Sequence, residues 1–139
     1  MLIPQAVFSE VVTAGAGRPG VVEIPAMSWI ELRPLAGRDV VEELASRLGR
    51  GEAEAIALAR ELRGTTRLLI DDRLGRGIAN EMGLSIVGSA GVLVLAEEQG
   101  LIPAVRPILD ELCSSGLYLG DATRRELLST AGEPPDADV

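Results

Sequence analysis

The spacing of apolar residues along the chain predicts helices that alternate with short strands. The clearest helix covers residues 52–63, where Ala55, Leu58 and Leu62 recur three and four residues apart on one face. A fully apolar run at 68–70 follows and stops abruptly at two acidic residues. Such a run is typical of a buried parallel strand, because parallel strands are covered on both faces.

The same pattern predicts further elements on both sides of this pair, with glycine or proline at most of their ends. Short strands between helices indicate a three-layer α/β/α fold with a mostly parallel sheet. We expect one domain over 1–131 and a disordered acidic tail over 132–139. The other predicted helices are 4–13, 39–48, 73–82, 90–99, 103–114 and 121–130, and the other strands are 29–33, 84–87 and 117–119.

The composition excludes several classes of site. The 139 residues suit one domain, and they include no histidine and no lysine, so that all thirteen basic residues are arginine. Histidine triads, histidine-ligated zinc and a P-loop lysine are therefore absent. Cys113 is the single cysteine, which excludes a disulfide framework and a cysteine zinc site. Carboxylates remain as ligands, and they favour Mg²⁺ or Mn²⁺.

The charge and the aromatic content limit how the protein can hold nucleic acid. The net charge is −8, so the surface has no general attraction for phosphate backbones. Three aromatic residues are too few for a base-stacking platform. A nucleic-acid partner would need metal ions, a basic partner protein or a local basic patch. Candidates for that patch, which are equally ordinary surface arginines, are Arg73, Arg76, Arg124 and Arg125.

The chain carries no pattern for export or membrane insertion. Residues 1–12 lack a basic region followed by an uninterrupted apolar segment, and no stretch reaches the roughly 18 apolar residues of a membrane span. With one free cysteine, this favours a cytoplasmic location without membrane association.

Several carboxylates are placed where they could act together on a phosphodiester. Metal-dependent hydrolysis needs acids that converge from strand ends and adjacent helices. Asp71 and Asp72 follow the predicted strand at 68–70, at the edge where α/β sheets bind ligands. Further candidates are Glu10, Glu54 and Glu52.

Each candidate also has a purely structural interpretation. Glu52 and Glu54 lie in the first turn of a helix, where the dipole favours acids. Asp72 can cap the next helix, and Ser89 can cap the helix predicted from residue 90. Arg76 can pair with a nearby acid, and Glu10 alone can be a solvated helix residue. Only the adjacent Asp71–Asp72 pair favours a functional interpretation by itself.

Four segments, in their order and spacing, resemble a family of PIN-domain-like proteins of uncharacterised function related to VapC-type toxins. They are residues 3–11 (IPQAVFSEV), 51–59 (GEAEAIALA), 69–79 (LIDDRLGRGIA) and 88–93 (GSAGVL). The resemblance covers almost the whole chain. It implies a PIN fold, Mg²⁺ or Mn²⁺ binding, single-stranded RNA as substrate, and a toxin neutralised by a small antitoxin protein.

The resemblance also implies roles for individual residues. Glu10, Glu54 and Asp72 match the family's acidic catalytic positions and would bind the metal, with Asp71 beside them. Ser89 stands where the family commonly has a threonine near the metal. Glu52 is the less favoured match to the position of Glu54. With Arg76 and Ser89, it forms a secondary set of candidate site residues.

One departure leaves alternatives open. PIN domains begin with an apolar strand that ends in a catalytic aspartate, and this sequence begins at what resembles the end of the second helix. The resemblance therefore implies an N-terminally truncated PIN fold that lacks the first strand and helix. The chain would then be an active ribonuclease, a catalytically incomplete module that binds a partner or forms a homo-oligomer, or the product of a misplaced start codon. Exposed strand edges motivate the expectation of an oligomer.

Overall fold

The computed structural model describes residues 1–134 and contains two compact units, the first covering Met1–Ile86 and the second beginning at Val87. Short strands and helices alternate, so the predicted α/β class is confirmed. The boundaries are β1 (Leu2–Ile3), α1 (Gln5–Phe8), a π-turn (Ser9–Thr13), α2 (Glu23–Ala26), β2 (Glu31–Leu32), α3 (Asp39–Leu44), α4 (Arg50–Glu61), β3 (Leu68–Leu69), α5 (Arg73–Glu81), β4 (Ile86–Val87), α6 (Ser89–Glu98), α7 (Arg106–Ser114) and α8 (Asp121–Thr130).

In the described part of the chain, the strands form two small sheets of two strands each. β1 and β2 are parallel, with Leu2 opposite Glu31 and Ile3 opposite Leu32. β3 pairs with β4, next to a bond in which the Leu68 N–H donates to the Ser85 carbonyl at 2.8 Å. Each strand is two residues long, shorter than the apolar runs predicted.

Helix α4 forms the centre of the first unit. Ala53 and Ile56 are 0% exposed and pack in one cluster with Ile70 and Ile78. The small alanine lets neighbouring elements approach α4, while full burial of Ile56 contributes roughly 1.5–3 kcal/mol. The predicted helix at 52–63 is confirmed, and its start lies two residues earlier than predicted.

The second unit has its own core around Val105, Leu109 and Leu128, which are fully buried. Leu117 and Leu119 pack against this core without forming a strand. The predicted strand at 117–119 is therefore wrong: the apolar residues are buried by loop packing, and no strand within residues 1–134 pairs with them.

Other differences concern the first helix, a missed helix and the tail. The predicted helix at 4–13 becomes α1 followed by the π-turn, and α2 lies in a stretch that we did not predict to be helical. Glu133, placed in the predicted tail, accepts hydrogen bonds from the backbone N–H groups of Val105 and Arg106. Residues 135–139 of that tail lie outside the described residues.

Candidate carboxylate site

Glu54 lies in the second turn of α4 and is the buried acid of the first unit, with 2% of its surface exposed. Its Oε2 accepts a hydrogen bond of 2.8 Å from the Ala6 N–H. Its Oε1 lies 3.3 Å from both Arg38 Nη2 and Arg50 Nε. A buried carboxylate needs such partners, because desolvation penalises an uncompensated charge. Glu54 therefore holds α1 against α4 with both oxygens engaged.

Glu10 reaches the start of the same helix from the π-turn. Its Oε1 accepts a 2.9 Å hydrogen bond from the Gly51 N–H, one of the donors that the first turn of a helix leaves unpaired. A Cβ on residue 51 would lie 2.5 Å from Glu10 Oε2, so the glycine makes room for this carboxylate. Glu10 thus binds the backbone at the start of α4, whereas Glu54 binds Arg50 and Arg38 and the Ala6 backbone of α1.

Asp72 follows β3 and caps α5. Its Oδ2 accepts a 2.7 Å hydrogen bond from the Gly75 N–H, as the structural interpretation predicted. Arg76, in the first turn of α5, donates from Nη1 to the Ile70 carbonyl at 2.9 Å. It thereby fixes the carboxyl end of β3. Asp71, which stands between Ile70 and Asp72 in the sequence, is exposed.

The secondary candidates Glu52 and Ser89 have different surroundings. The Glu52 carboxylate folds back over Gly49, since a Cβ there would lie 2.3 Å from Glu52 Oε2. Glu52 therefore covers the start of α4 and leaves the deeper position to Glu54. Ser89 is the first residue of α6, in the second unit, and Gly88 is the cap of that helix instead.

Two arginines outside the predicted site supply the positive charge next to Glu54. Arg50 precedes Glu54 by four residues on α4, a spacing that favours ion pairs and could have been recognised. Arg38 comes from just before α3, and nothing in the sequence indicates its proximity.

The candidate ligands have the right chemistry for a divalent metal, but their arrangement does not form a metal site. Glu10, Glu54, Asp71 and Asp72 supply the oxygen ligands that Mg²⁺ and Mn²⁺ prefer. Among residues 1–134, however, no three acidic or cysteine side chains are grouped so that they could hold a metal ion. Arginines also occupy the cation position at Glu54. Carboxylates are suitable ligands for this ion, but their positions in the structure do not form a binding site for it.

Across the described residues, every helix is too short or too polar to cross a membrane.

Sequence comparison supports the resemblance that the ordered segments 3–11, 51–59, 69–79 and 88–93 suggested. Residues 1–133 match DUF3368, a family described as a PIN domain. No curated protein and no solved structure matches the chain significantly. PIN domains have a nuclease-type fold, and they generally interact with nucleic acid and use divalent metals. The chain therefore belongs to the PIN-domain family DUF3368.

Proposed function

We propose that the protein is a PIN-type endoribonuclease that cleaves single-stranded RNA with Mg²⁺ or Mn²⁺. The observation that carries the proposal is the match of residues 1–133 to a PIN-domain family, together with the position of Glu10 and Glu54 around the start of α4. Their partners, Gly51 and Ala6, are 41 and 48 residues away in sequence. The fold thus brings Glu10 from the π-turn to the start of the helix that carries Glu54.

Asp72 is the third catalytic residue in this proposal, with Asp71 as a further metal ligand. Both follow β3, at the sheet edge where α/β proteins bind ligands. The proposed setting is the cytoplasm, with the protein acting as the toxin of a pair and a small antitoxin protein as its inhibitor.

Nuclease assays of the purified full chain test this proposal. We expect cleavage of a labelled single-stranded RNA with Mg²⁺ or Mn²⁺ and none in EDTA. Asp72→Asn should abolish cleavage while preserving the fold, because asparagine caps helices about as well as aspartate. Glu126→Gln, on the exposed surface of α8, is the matched control. Cleavage that persists in EDTA or in Asp72→Asn would contradict the proposal.

A second candidate is a catalytically incomplete PIN domain that acts as a protein-interaction or oligomerisation module. The arginines that bind Glu54 favour it, because a carboxylate engaged in this way is not available to a metal ion. This candidate predicts no metal-dependent turnover and a stable oligomer or complex. A monomer that cleaves RNA would exclude it.

A further inference from the structure

The first unit contains a cleft of about 420 Å³ whose walls include residues of both β1 and β3. The apolar face of α4 contributes Ala55, Leu58 and Leu62 to its lining. The two strands belong to separate sheets, and each has one neighbouring strand in the described structure. The cleft therefore has a strand on two sides and a helix beneath.

The backbone of β1 presents an open edge. Two N–H groups of the β2 region, those of Glu31 and Arg33, donate to the carbonyls of Met1 and Ile3 at 2.8 and 2.9 Å. Successive peptide groups in a strand point to opposite sides. The N–H and C=O of Leu2, which lines the cleft, consequently point away from β2.

The backbone of β3 presents a second open edge. Because the Leu68 N–H donates to the Ser85 carbonyl, the N–H and C=O of Leu69 point away from β4. Leu69 also lines the cleft, and 45% of its surface is exposed. Two strand edges with outward amide groups are templates for an added strand.

The charge of the cleft restricts the sequence of such a strand. Among the described lining residues, Arg67 has the only charged side chain, and it stands immediately before β3. A neighbouring cavity of about 560 Å³ shares Arg67 and adds Arg63, with no acidic residue in its lining. Arg63 is already engaged, since it donates to the Met82 carbonyl. Arg67 remains to attract a carboxylate at this end.

We infer that the cleft binds an extended, apolar peptide segment of another protein, with a carboxylate side chain at the end that lies beside Arg67. The segment pairs through its backbone with Leu2 and Leu69 and places aliphatic side chains on Ala55 and Leu58. Nucleic acid lacks the alternating amide donors and acceptors of a strand and does not complement these edges. The inference is independent of the proposed hydrolysis, since it uses none of the catalytic carboxylates.

Two synthetic pentapeptides test the inference, one with glutamate followed by four valines and one with the reverse order. Both are acetylated and amidated, so that glutamate supplies the only carboxylate. If the bound strand is parallel, only one of the two peptides places its carboxylate beside Arg67; if the strand is antiparallel, only the other peptide does. We therefore expect one peptide to bind and the second to bind at least about tenfold more weakly. Binding is measured by calorimetry and by amide chemical-shift changes at Leu2 and Leu69. The same peptide with lysine in place of glutamate should bind about tenfold more weakly, the effect of roughly one charge-assisted contact.

Variants of the full chain identify the contacts. Leu69→Pro removes the outward N–H but not the bonds to β4, and proline is tolerated at strand edges. It should weaken peptide binding about tenfold or more, whereas Leu69→Ala, which keeps the N–H, should weaken it less. Arg67→Glu should reverse the preference between the glutamate and lysine peptides. Arg67→Glu tests the inference even if Leu69→Pro does not fold.

Other results would overturn the inference. The inference fails if neither peptide changes the amide chemical shifts of Leu2 and Leu69, or if neither Leu69→Pro nor Arg67→Glu changes the affinity for the peptide. A dimer that Leu69→Pro converts to a monomer would mean that a second copy of this chain fills the cleft instead. RNA that competes with the peptide and shifts the same amides would assign the cleft to nucleic acid.

Discussion

The Glu54 carboxylate accepts a hydrogen bond from the backbone N–H of Ala6 at 2.8 Å, across 48 residues of sequence. This bond joins the first helix of the chain to the central helix α4. It also leaves one carboxylate oxygen for Arg38 and Arg50. Position 54 therefore couples the stability of the first unit to the charge of the candidate site.

Glu54→Leu should destabilise the protein more than Glu54→Gln. Leucine leaves the Ala6 N–H and two arginines without their acceptor, for a loss of about 2–4 kcal/mol. Glutamine retains an oxygen for Ala6 and loses the charge, for about 1–2 kcal/mol. Because Arg38 and Arg50 are more than half exposed, Arg38→Met or Arg50→Met should each cost less than about 1 kcal/mol. Urea unfolding measures all four, and equal losses for leucine and glutamine would contradict the role of the Ala6 bond.

Gly51→Ala should destabilise the protein when residue 10 is glutamate and stabilise it when residue 10 is changed to alanine. With Glu10 present, the new Cβ lies 2.5 Å from Oε2 and forces the carboxylate away from the Gly51 N–H. In a Glu10→Ala background the steric conflict disappears, and alanine should stabilise α4 by about 0.5–1 kcal/mol through its higher helix propensity. A double-mutant cycle in urea measures the coupling. Additive effects would show that Glu10 and Gly51 do not interact in solution.

Gly75→Ala should destabilise the protein by about 1–3 kcal/mol through overpacking. The added Cβ would lie 2.6 Å from Ile70 Cδ1, an atom in the buried core. Ile70→Val removes this atom, so the double variant should lose less stability than the sum of the single variants. Gly77→Ala is the matched control, because a Cβ there meets no atom within 4 Å. A similar loss from Gly77→Ala would attribute the effect to α5 as a whole.

Glu23 should titrate below its ordinary pKa of 4.5. Its own backbone N–H is the main cause of the lowered pKa, followed by the Gly20 N–H, which donates to Oε2 at 2.9 Å. A pKa that is lower in the folded state stabilises the fold above the unfolded value, and this contribution is lost as pH falls through the folded pKa. The stabilisation is therefore present at neutral pH and declines in acid. Carboxyl NMR titration should show the shift, and Glu23→Gln should remove this part of the acid sensitivity; an unshifted titration would contradict the bonds.

The sequence predicted the elements whose signals are local. The periodicity of α4 and the Asp72 cap were recognised because each depends on residues within one or two turns. The strand predicted at 117–119 failed because an apolar run indicates burial, while a strand also requires a partner edge. Tyr118 within that run is 92% exposed, which shows that Leu117 and Leu119 alone supply the burial.

The partners of the carboxylates could not be predicted from local patterns. Glu10 and Glu54 were candidates from their positions on predicted helices and from the resemblance, but their main contacts are backbone N–H groups 41 and 48 residues away. A backbone donor carries no mark in the sequence, because every residue except proline has one. Arg38 likewise approaches Glu54 only after the chain has folded.

The π-turn at Ser9–Thr13 makes the direction of the chain depend on the number of residues in this segment. The Ala14 N–H donates to the Ser9 carbonyl at 2.9 Å, so this turn contains one residue more than an α-helical turn. One residue rotates a helix by roughly 100°, and a deletion within 11–13 would rewind the segment into an ordinary turn. The number of residues in this turn thus sets the direction in which the chain continues after Thr13, and a one-residue deletion would redirect the following segment without changing the Glu10 side chain that binds α4.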